Sequence, residues 1–189
     1  MKRLLLLSVL ALGLGLSAPA LAPAQAQVNI LEGPGLVKAV STNDVSALRM
    51  LLLKGDNPNQ TDISGKTALQ IAIGNSNAEM VKMLLDGGAN PNRADKQGNA
   101  PLHYAVDADD VATVDQLLKK GAKVDQDNRD GLTPLMMAAR SGRPDLVDRL
   151  LKAGAKADRT DFTGRTTLSW AQDGRNARVL NMLRQAGAR

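Results

Sequence analysis

The sequence between residues 84 and 105, LLDGGANPNRADKQGNAPLHYA, decides the fold. It places a glycine pair, a polar run with a proline and a further glycine between two apolar segments. It also carries His103, the only histidine of the chain. Such a stretch could be an active-site loop or a connection between repeated units, and only a connection would be expected to recur.

The stretch recurs at intervals of 33 residues without an insertion. Five columns share this interval: Gly65, Gly98, Gly131 and Gly164; Leu69, Leu102, Leu135 and Leu168; Ala72, Ala105, Ala138 and Ala171; Leu84, Leu117, Leu150 and Leu183; Gly88, Gly121, Gly154 and Gly187. Leu36, Ala39 and Gly55 extend the register toward the amino terminus. A fixed period of about 20 to 50 residues is typical of stacked supersecondary units.

The repeated segments resemble a known family. GKTALQIA, GNAPLHYA, GLTPLMMA and GRTTLSWA, with LLDGGANPN, LLKKGAKVD and LLKAGAKAD, resemble the ankyrin repeat, whose hallmarks are Thr-Pro-Leu-His and a later Leu-Leu-x-x-Gly-Ala. The resemblance implies an all-α solenoid of helix-turn-helix repeats with projecting turns or hairpins. We expect one domain over 27–189, with five repeats at about 29–61, 62–94, 95–127, 128–160 and 161–189.

The columns have physical roles in such a repeat. A threonine that can cap the first helix with its hydroxyl stands at Thr67, Thr133 and Thr166. Ala100 replaces it in the third repeat, which predicts a weaker helix start. Pro101 and Pro134 fall in the first helical turn, where a missing N–H costs nothing. In the second repeat we expect helices at about 67–75 and 78–86, the latter closed by left-handed Gly88.

Residues 1–26 have the pattern of a secretory signal peptide. Lys2 and Arg3 precede an apolar run over 4–16, and small residues follow. The run is shorter than the ~20 residues that cross a bilayer, so we expect no stable membrane span after cleavage. Ala24 and Ala26 suit cleavage after Ala26. The leader predicts a bacterial protein that is periplasmic or secreted.

Composition disfavours several functions. Without cysteine the chain has no disulfide, thiolate metal site or thiol nucleophile. Losing Lys2 and Arg3 with the leader lowers the formal net charge from +5 to +3, too little to indicate nucleic-acid binding. His103 alone could serve a hydrolase, and its column implies a structural hydrogen bond between neighbouring turns instead. We expect a monomer that is not an enzyme and has no metal or cofactor.

The resemblance implies a protein-binding module that grips its partner through a concave face of turn tips and first helices. The candidate binding residues are Ile63, Lys66, Lys96, Asn99, Arg129, Leu132, Arg140, Phe162 and Arg165. Their cations favour a partner with an acidic surface. Phe162 either anchors the partner or folds back over the last repeat. Tyr104 and Trp170 fall in a column expected to pack between repeats.

Three interpretations of that binding role remain open at the level of sequence. The first is an exported adaptor or scaffold. The second is a periplasmic inhibitor or immunity-type protein that blocks an enzyme. The third is a secreted effector that binds a host protein.

Overall fold

The computed structural model describes residues 35–188, which form ten α-helices and no strand. The first helices of the repeats are α1 (Gly35–Ser41), α3 (Ala68–Gly74), α5 (Pro101–Asp107), α7 (Pro134–Arg140) and α9 (Thr167–Asp173). The second helices are α2 (Val45–Leu53), α4 (Ala78–Asp86), α6 (Val111–Lys119), α8 (Pro144–Lys152) and α10 (Ala177–Gln185). The expected all-α solenoid of helix pairs is confirmed. The predicted signal peptide lies outside the described residues.

The first helices begin where the threonine column predicts. A threonine hydroxyl accepts from the backbone N–H three residues later at Thr67, Thr133 and Thr166. Ala100 makes no such bond, and its own N–H donates to Nδ1 of His103 over 3.1 Å. The third repeat therefore orders its helix start with an imidazole, and the N–H of His103 donates to the Ala100 carbonyl at 2.9 Å in place of a side-chain cap.

The second helices have side-chain caps from a different column. Asp44, Asn77, Asp110 and Asn176 accept from backbone N–H groups in the first turn of α2, α4, α6 and α10. Arg143 makes no side-chain cap for α8, which has Pro144 in its first turn instead. The glycine after each second helix is left-handed, with φ of +88° at Gly88, as the sequence predicts.

Helices of like type pack side by side along the solenoid, and the core lies between the two layers. The first helices α1, α3, α5, α7 and α9 form one layer, and the second helices form the other. Leu69, Leu102 and Leu135 are at most 1% exposed, and the alanine column from Ala39 to Ala171 is at most 4% exposed. Each helix pair buries its apolar columns against its neighbours, which is how a solenoid is stabilised.

Polar side chains also link neighbouring repeats. Asn59 and Asn92 accept from the backbone N–H of Asn90 and Lys123, each over 2.7 Å. Asp125 repeats the contact with the N–H of Lys156 at 3.1 Å. These links hold the loops after the second helices in the register of the helices.

Two columns that hold apolar side chains in other repeats hold an exposed cation in the first or the last described repeat. Lys38, which occupies the column of Tyr104 and Trp170, is exposed in α1. Arg184, which occupies the column of Leu52 and Leu85, is exposed in α10. Within residues 35–188, no helix has the length and apolar character needed to span a membrane.

Candidate protein-binding surface

Each turn tip is a short loop organised by one acidic or amide side chain. We call residues 62–66, 95–99, 128–132 and 161–165 the tips. In the first of them, Oδ1 of Asp62 accepts from the backbone N–H of Ser64 at 2.9 Å and of Lys66 at 2.8 Å. The equivalent side chains Asp95, Asn128 and Asp161 make the same pair of bonds in their tips.

These bonds keep the carboxylates of Asp62 and Asp161 ionised. Burial opposes ionisation of Asp161, but hydrogen bonds from Thr163 and the backbone of Arg165 outweigh it and lower the pKa of Asp161. The same balance, with Ser64 and Lys66 as donors, lowers the pKa of Asp62. Each carboxylate thus stabilises the turn rather than serving as a free ligand.

Two aromatic rings join the tips to the first helices. The Tyr104 hydroxyl donates to Oδ2 of Asp95 at 2.6 Å, and Nε1 of Trp170 donates to Oδ2 of Asp161 at 3.0 Å. Burial and the bond to Asp95 raise the pKa of Tyr104, so the phenol stays protonated. Both rings are half-buried, on the surface formed by the tips and the first helices, which we call the first-helix face.

Cations cover these rings. The Lys66 ammonium lies 5.4 Å from the centre of the Tyr104 ring. The Arg165 guanidinium lies 3.6 Å from the centre of the Trp170 ring, and that of Arg140 lies 5.4 Å away. Each cation over a ring is attracted by about 0.5–1 kcal/mol at an exposed site. The first-helix face therefore presents cation–aromatic clusters rather than scattered charges.

The predicted binding residues divide into two groups by their surroundings. Ile63 and Phe162 are 84% and 71% exposed, and Lys96, Arg129 and Arg140 are exposed as well. Half-buried positions are held by Lys66, Asn99, Leu132 and Arg165. Arg165 is also paired with Asp173 at 2.6 Å, which reduces the charge it offers a partner.

Phe162 lies against the preceding tip. A Cβ atom on Gly131 would be 2.7 Å from Cδ1 of Phe162, so the ring lies directly over that glycine. The ring still has 71% of its surface exposed. It is therefore held in place by the preceding repeat and remains accessible from solvent.

His103 joins two neighbouring tips through both ring nitrogens. Nδ1 accepts from the N–H of Ala100, so Nε2 carries the proton and donates to the carbonyl of Leu132 at 3.1 Å. Burial lowers the pKa of His103 against the opposing effect of the bond to the Leu132 carbonyl, so the imidazole is neutral near pH 7. The hydrogen bond between neighbouring turns that its column implies is confirmed.

Two shallow pockets accompany these features. One of about 150 Å³ lies beside His103 on the first-helix face and is lined by Asn99, His103, Tyr104, Asp107 and Met137. The other, of about 180 Å³, lies between α4 and α6 beside Lys82, Asp86 and Lys120. Hydrogen bonds from Lys120 and Lys82 lower the pKa of Asp86 to about 2. No cluster of three metal-ligating side chains occurs within residues 35–188.

Sequence reasoning missed part of this surface. It assigned Tyr104 and Trp170 to packing, whereas both rings also lie under cations on an accessible face. It did not pair Arg165 with Asp173, because eight residues and one helix separate them. No fixed spacing in the sequence links these partners, because Lys66 and Tyr104 come from different repeats and Arg165 lies five residues before Trp170.

The comparison with protein families agrees with this architecture. A family model described as "Ankyrin repeats (3 copies)" matches residues 36–128 and 112–189. The chain belongs to the ankyrin-repeat family. Ankyrin repeats are generally protein–protein interaction modules and typically not enzymes. Comparison with the curated proteins gives no significant match to this ankyrin-repeat chain.

Proposed function

We propose that this chain is an exported, non-catalytic adaptor that holds an acidic partner protein against its first-helix face. The observation that carries the proposal is the pair of cation–aromatic clusters, Lys66 on Tyr104 and Arg165 with Arg140 on Trp170. Tyrosine, tryptophan and arginine are the residues most enriched at the energetic centres of protein interfaces. Their clustering on one face of a protein-binding fold supports the proposal that the partner binds at that face.

The state of the single histidine supports a binding role over a catalytic one. Both ring nitrogens of His103 are engaged by backbone groups of Ala100 and Leu132. A general base needs a nitrogen within hydrogen-bond reach of the proton it removes. His103 would have to break a bond that orders two tips before it could act.

Lys66, Lys96 and Arg129 allow a direct test of the face. Changing all three to Glu should abolish capture of the partner from a periplasmic extract, identified by mass spectrometry. Arg165 is left unchanged, because it is bound to Asp173 and Trp170 within the chain.

The matched control makes the same charge change elsewhere. Lys119, Lys123 and Arg178 are exposed on the second helices and the loop after them. Their change to Glu should leave capture intact. Equal recovery of the partner by both triple variants would place the interface on another surface.

Export is supported by the leader pattern over residues 1–26. Expressed in a bacterium, the chain should appear in the periplasmic fraction with Gln27 as its first residue by amino-terminal sequencing. A variant lacking residues 2–26 should remain in the cytoplasm. A full-length chain beginning at Met1 in the cytoplasmic fraction would contradict the export part of the proposal alone.

A further inference from the structure

The second residue of each tip projects from one edge of the molecule. We call these four residues, in order along the solenoid Ile63, Lys96, Arg129 and Phe162, the tip row. Ile63 and Phe162 are 84% and 71% exposed, although apolar side chains of that size are most often buried. The row therefore reads apolar, basic, basic, apolar, with one residue from each of four successive repeats.

The tip row is held rigidly by contacts between neighbouring tips. The N–H of Arg129 donates to the carbonyl of Gln97 at 3.0 Å, and the N–H of Phe162 donates to the carbonyl of Asp130 at 3.2 Å. Between the first two tips, Nζ of Lys96 donates to the carbonyl of Ile63 at 2.9 Å. A row ordered before binding loses little conformational entropy when a partner arrives.

The spacing of the row matches one peptide conformation. Packed neighbouring helices lie about 8–10 Å apart, and the tips follow the stack of first helices. A polyproline II helix has three residues per turn and rises about 9 Å per turn, so every third side chain lies on the same face. A β-strand of that length would turn every third side chain to the opposite face. Of these two extended forms, only polyproline II presents one side chain to each tip.

The two cations in the middle of the tip row indicate that the middle of the partner segment is acidic. Lys96 and Arg129 are exposed cations on neighbouring tips. Asp130 is exposed beside Arg129. An anionic membrane would set negative head groups against Asp130 as well, whereas a single segment can place its acidic side chains on Lys96 and Arg129 alone, which favours a peptide over a lipid surface.

We propose that the tip row binds an acidic polyproline II segment of the pattern apolar-x-x-acid-x-x-acid-x-x-apolar. Glu or Asp side chains of the segment pair with Lys96 and Arg129, and its terminal apolar side chains cover Ile63 and Phe162. The pattern is the same when reversed, so the row accepts the segment in either direction. This inference rests on the proposed binding function and names the partner's chemistry.

Synthetic peptides test the pattern. Leu-Pro-Pro-Glu-Pro-Pro-Glu-Pro-Pro-Leu should bind the purified chain by isothermal titration calorimetry. The isomer Leu-Pro-Glu-Pro-Pro-Pro-Pro-Glu-Pro-Leu has the same composition with both acids out of register, and it should bind at least about fivefold more weakly. Phe162→Ala should weaken the first peptide about tenfold, a usual result of removing an aromatic anchor.

A charge exchange provides the matched control. The Lys96→Glu/Arg129→Glu double variant should reject the glutamate peptide and prefer the same sequence with Lys in place of Glu. Thermal melting checks that each variant is folded. Equal affinity for the two isomers, or for both peptide charges, would overturn the proposal.

Two other outcomes separate this inference from the proposed function. If Lys66, Lys96 and Arg129 are needed for partner capture but no peptide binds, the face binds protein and the polyproline II inference fails alone. If the chain binds vesicles containing phosphatidylglycerol, loses that binding on Phe162→Ala and ignores the peptides, the row docks on a membrane and the inference is wrong.

Discussion

At the scale of single residues, the glycine of each tip meets two separate requirements. Gly131 and Gly164 both have positive φ, at +77° and +84°. A Cβ on Gly131 would also lie 2.6 Å from the backbone nitrogen of Phe162, whereas a Cβ on Gly164 would meet nothing within 4 Å. The positive φ explains why both positions are glycine. The close approach of the next tip is a second reason at Gly131 and does not apply at Gly164.

This difference predicts unequal costs for the same substitution. Gly164→Ala should lower the free energy of unfolding by about 1–2 kcal/mol, the usual cost of a left-handed alanine. Gly131→Ala should lower it further, because the backbone of Phe162 must also move. Urea unfolding of both variants measures the difference. Equal losses of unfolding free energy would mean that the tip of Phe162 can move away from Gly131 without lowering stability.

His103 illustrates how one buried group sets a pH response. Its pKa is lowered in the folded chain from an ordinary 6.5. Protonation would remove the Nδ1 acceptor of the Ala100 N–H, and nearby Asp95 and Asp127 only partly offset the burial. The unfolded chain therefore binds the proton more readily than the folded chain below pH 6.5.

We expect the stability that depends on neutral His103 to be complete above about pH 6.5 and to fall as the pH drops toward the folded pKa. His103→Gln should retain both hydrogen bonds without titrating. Gln70, in the same column, already accepts from the Thr67 N–H and donates to the Asn99 carbonyl, each at 2.7 Å. Urea unfolding between pH 5 and 8 should show a pH slope in the parent that the variant lacks.

At the scale of elements, the first helices differ mainly in how they begin. Thr67 and Thr133 are buried at their caps, so the column has room for a threonine side chain. Ala100 occupies the same environment at 2% exposure and makes no side-chain cap for α5. The start of α5, in the third repeat, is therefore the one that a substitution could strengthen.

Ala100→Thr should raise the free energy of unfolding by up to about 1 kcal/mol, because the new hydroxyl gives a side-chain cap to the N–H of His103, which now donates to the Ala100 carbonyl at 2.9 Å. Thr133→Ala should lower it by a similar amount at α7. Thermal and urea unfolding of the two variants provide reciprocal tests. A destabilised Ala100→Thr protein would show that this site is too tightly packed for a threonine.

At the scale of the whole molecule, stability comes from contacts between adjacent repeats. The second helices are tied by ion pairs from one repeat to the next, including Arg49 with Glu79 at 3.0 Å and Lys120 with Asp86 at 2.8 Å. Such exposed pairs each contribute little, at about 0–1 kcal/mol. The buried leucine and alanine columns carry most of the stabilisation, as expected for a solenoid.

Arg184 marks a surface where an apolar column becomes polar. Arg184→Leu should place a leucine at the stacking position of the last repeat and promote self-association by extending an exposed apolar patch. Arg178→Leu, on the same helix in a column that is exposed throughout, should leave the chain unchanged. Sedimentation at high concentration distinguishes them, and a monomeric Arg184→Leu protein would contradict the assigned packing direction.

The amino-acid sequence by itself determined the repeat, the helix pairs and the threonine caps of the first helices. These follow from columns at 33-residue intervals, because each helix pair buries side chains at the same positions against an equivalent helix pair. The predicted helices of the second repeat agree with Ala68–Gly74 and Ala78–Asp86. The role of His103 between turns was expected from the resemblance to the ankyrin repeat rather than from the spacing. Contacts within a repeat and between adjacent repeats are thus enough to determine the fold.

Only the tertiary structure decided how the surface side chains pair. The stacking of Arg165 on Trp170, its ion pair with Asp173 and the seat of Phe162 on Gly131 do not follow from the repeat, since these residues vary within their columns. Their partners are set by distances across folded loops and neighbouring repeats. Burial repeats from unit to unit and can be predicted from the period, whereas side-chain contacts on the binding face are particular to each unit and arise once the tips are stacked.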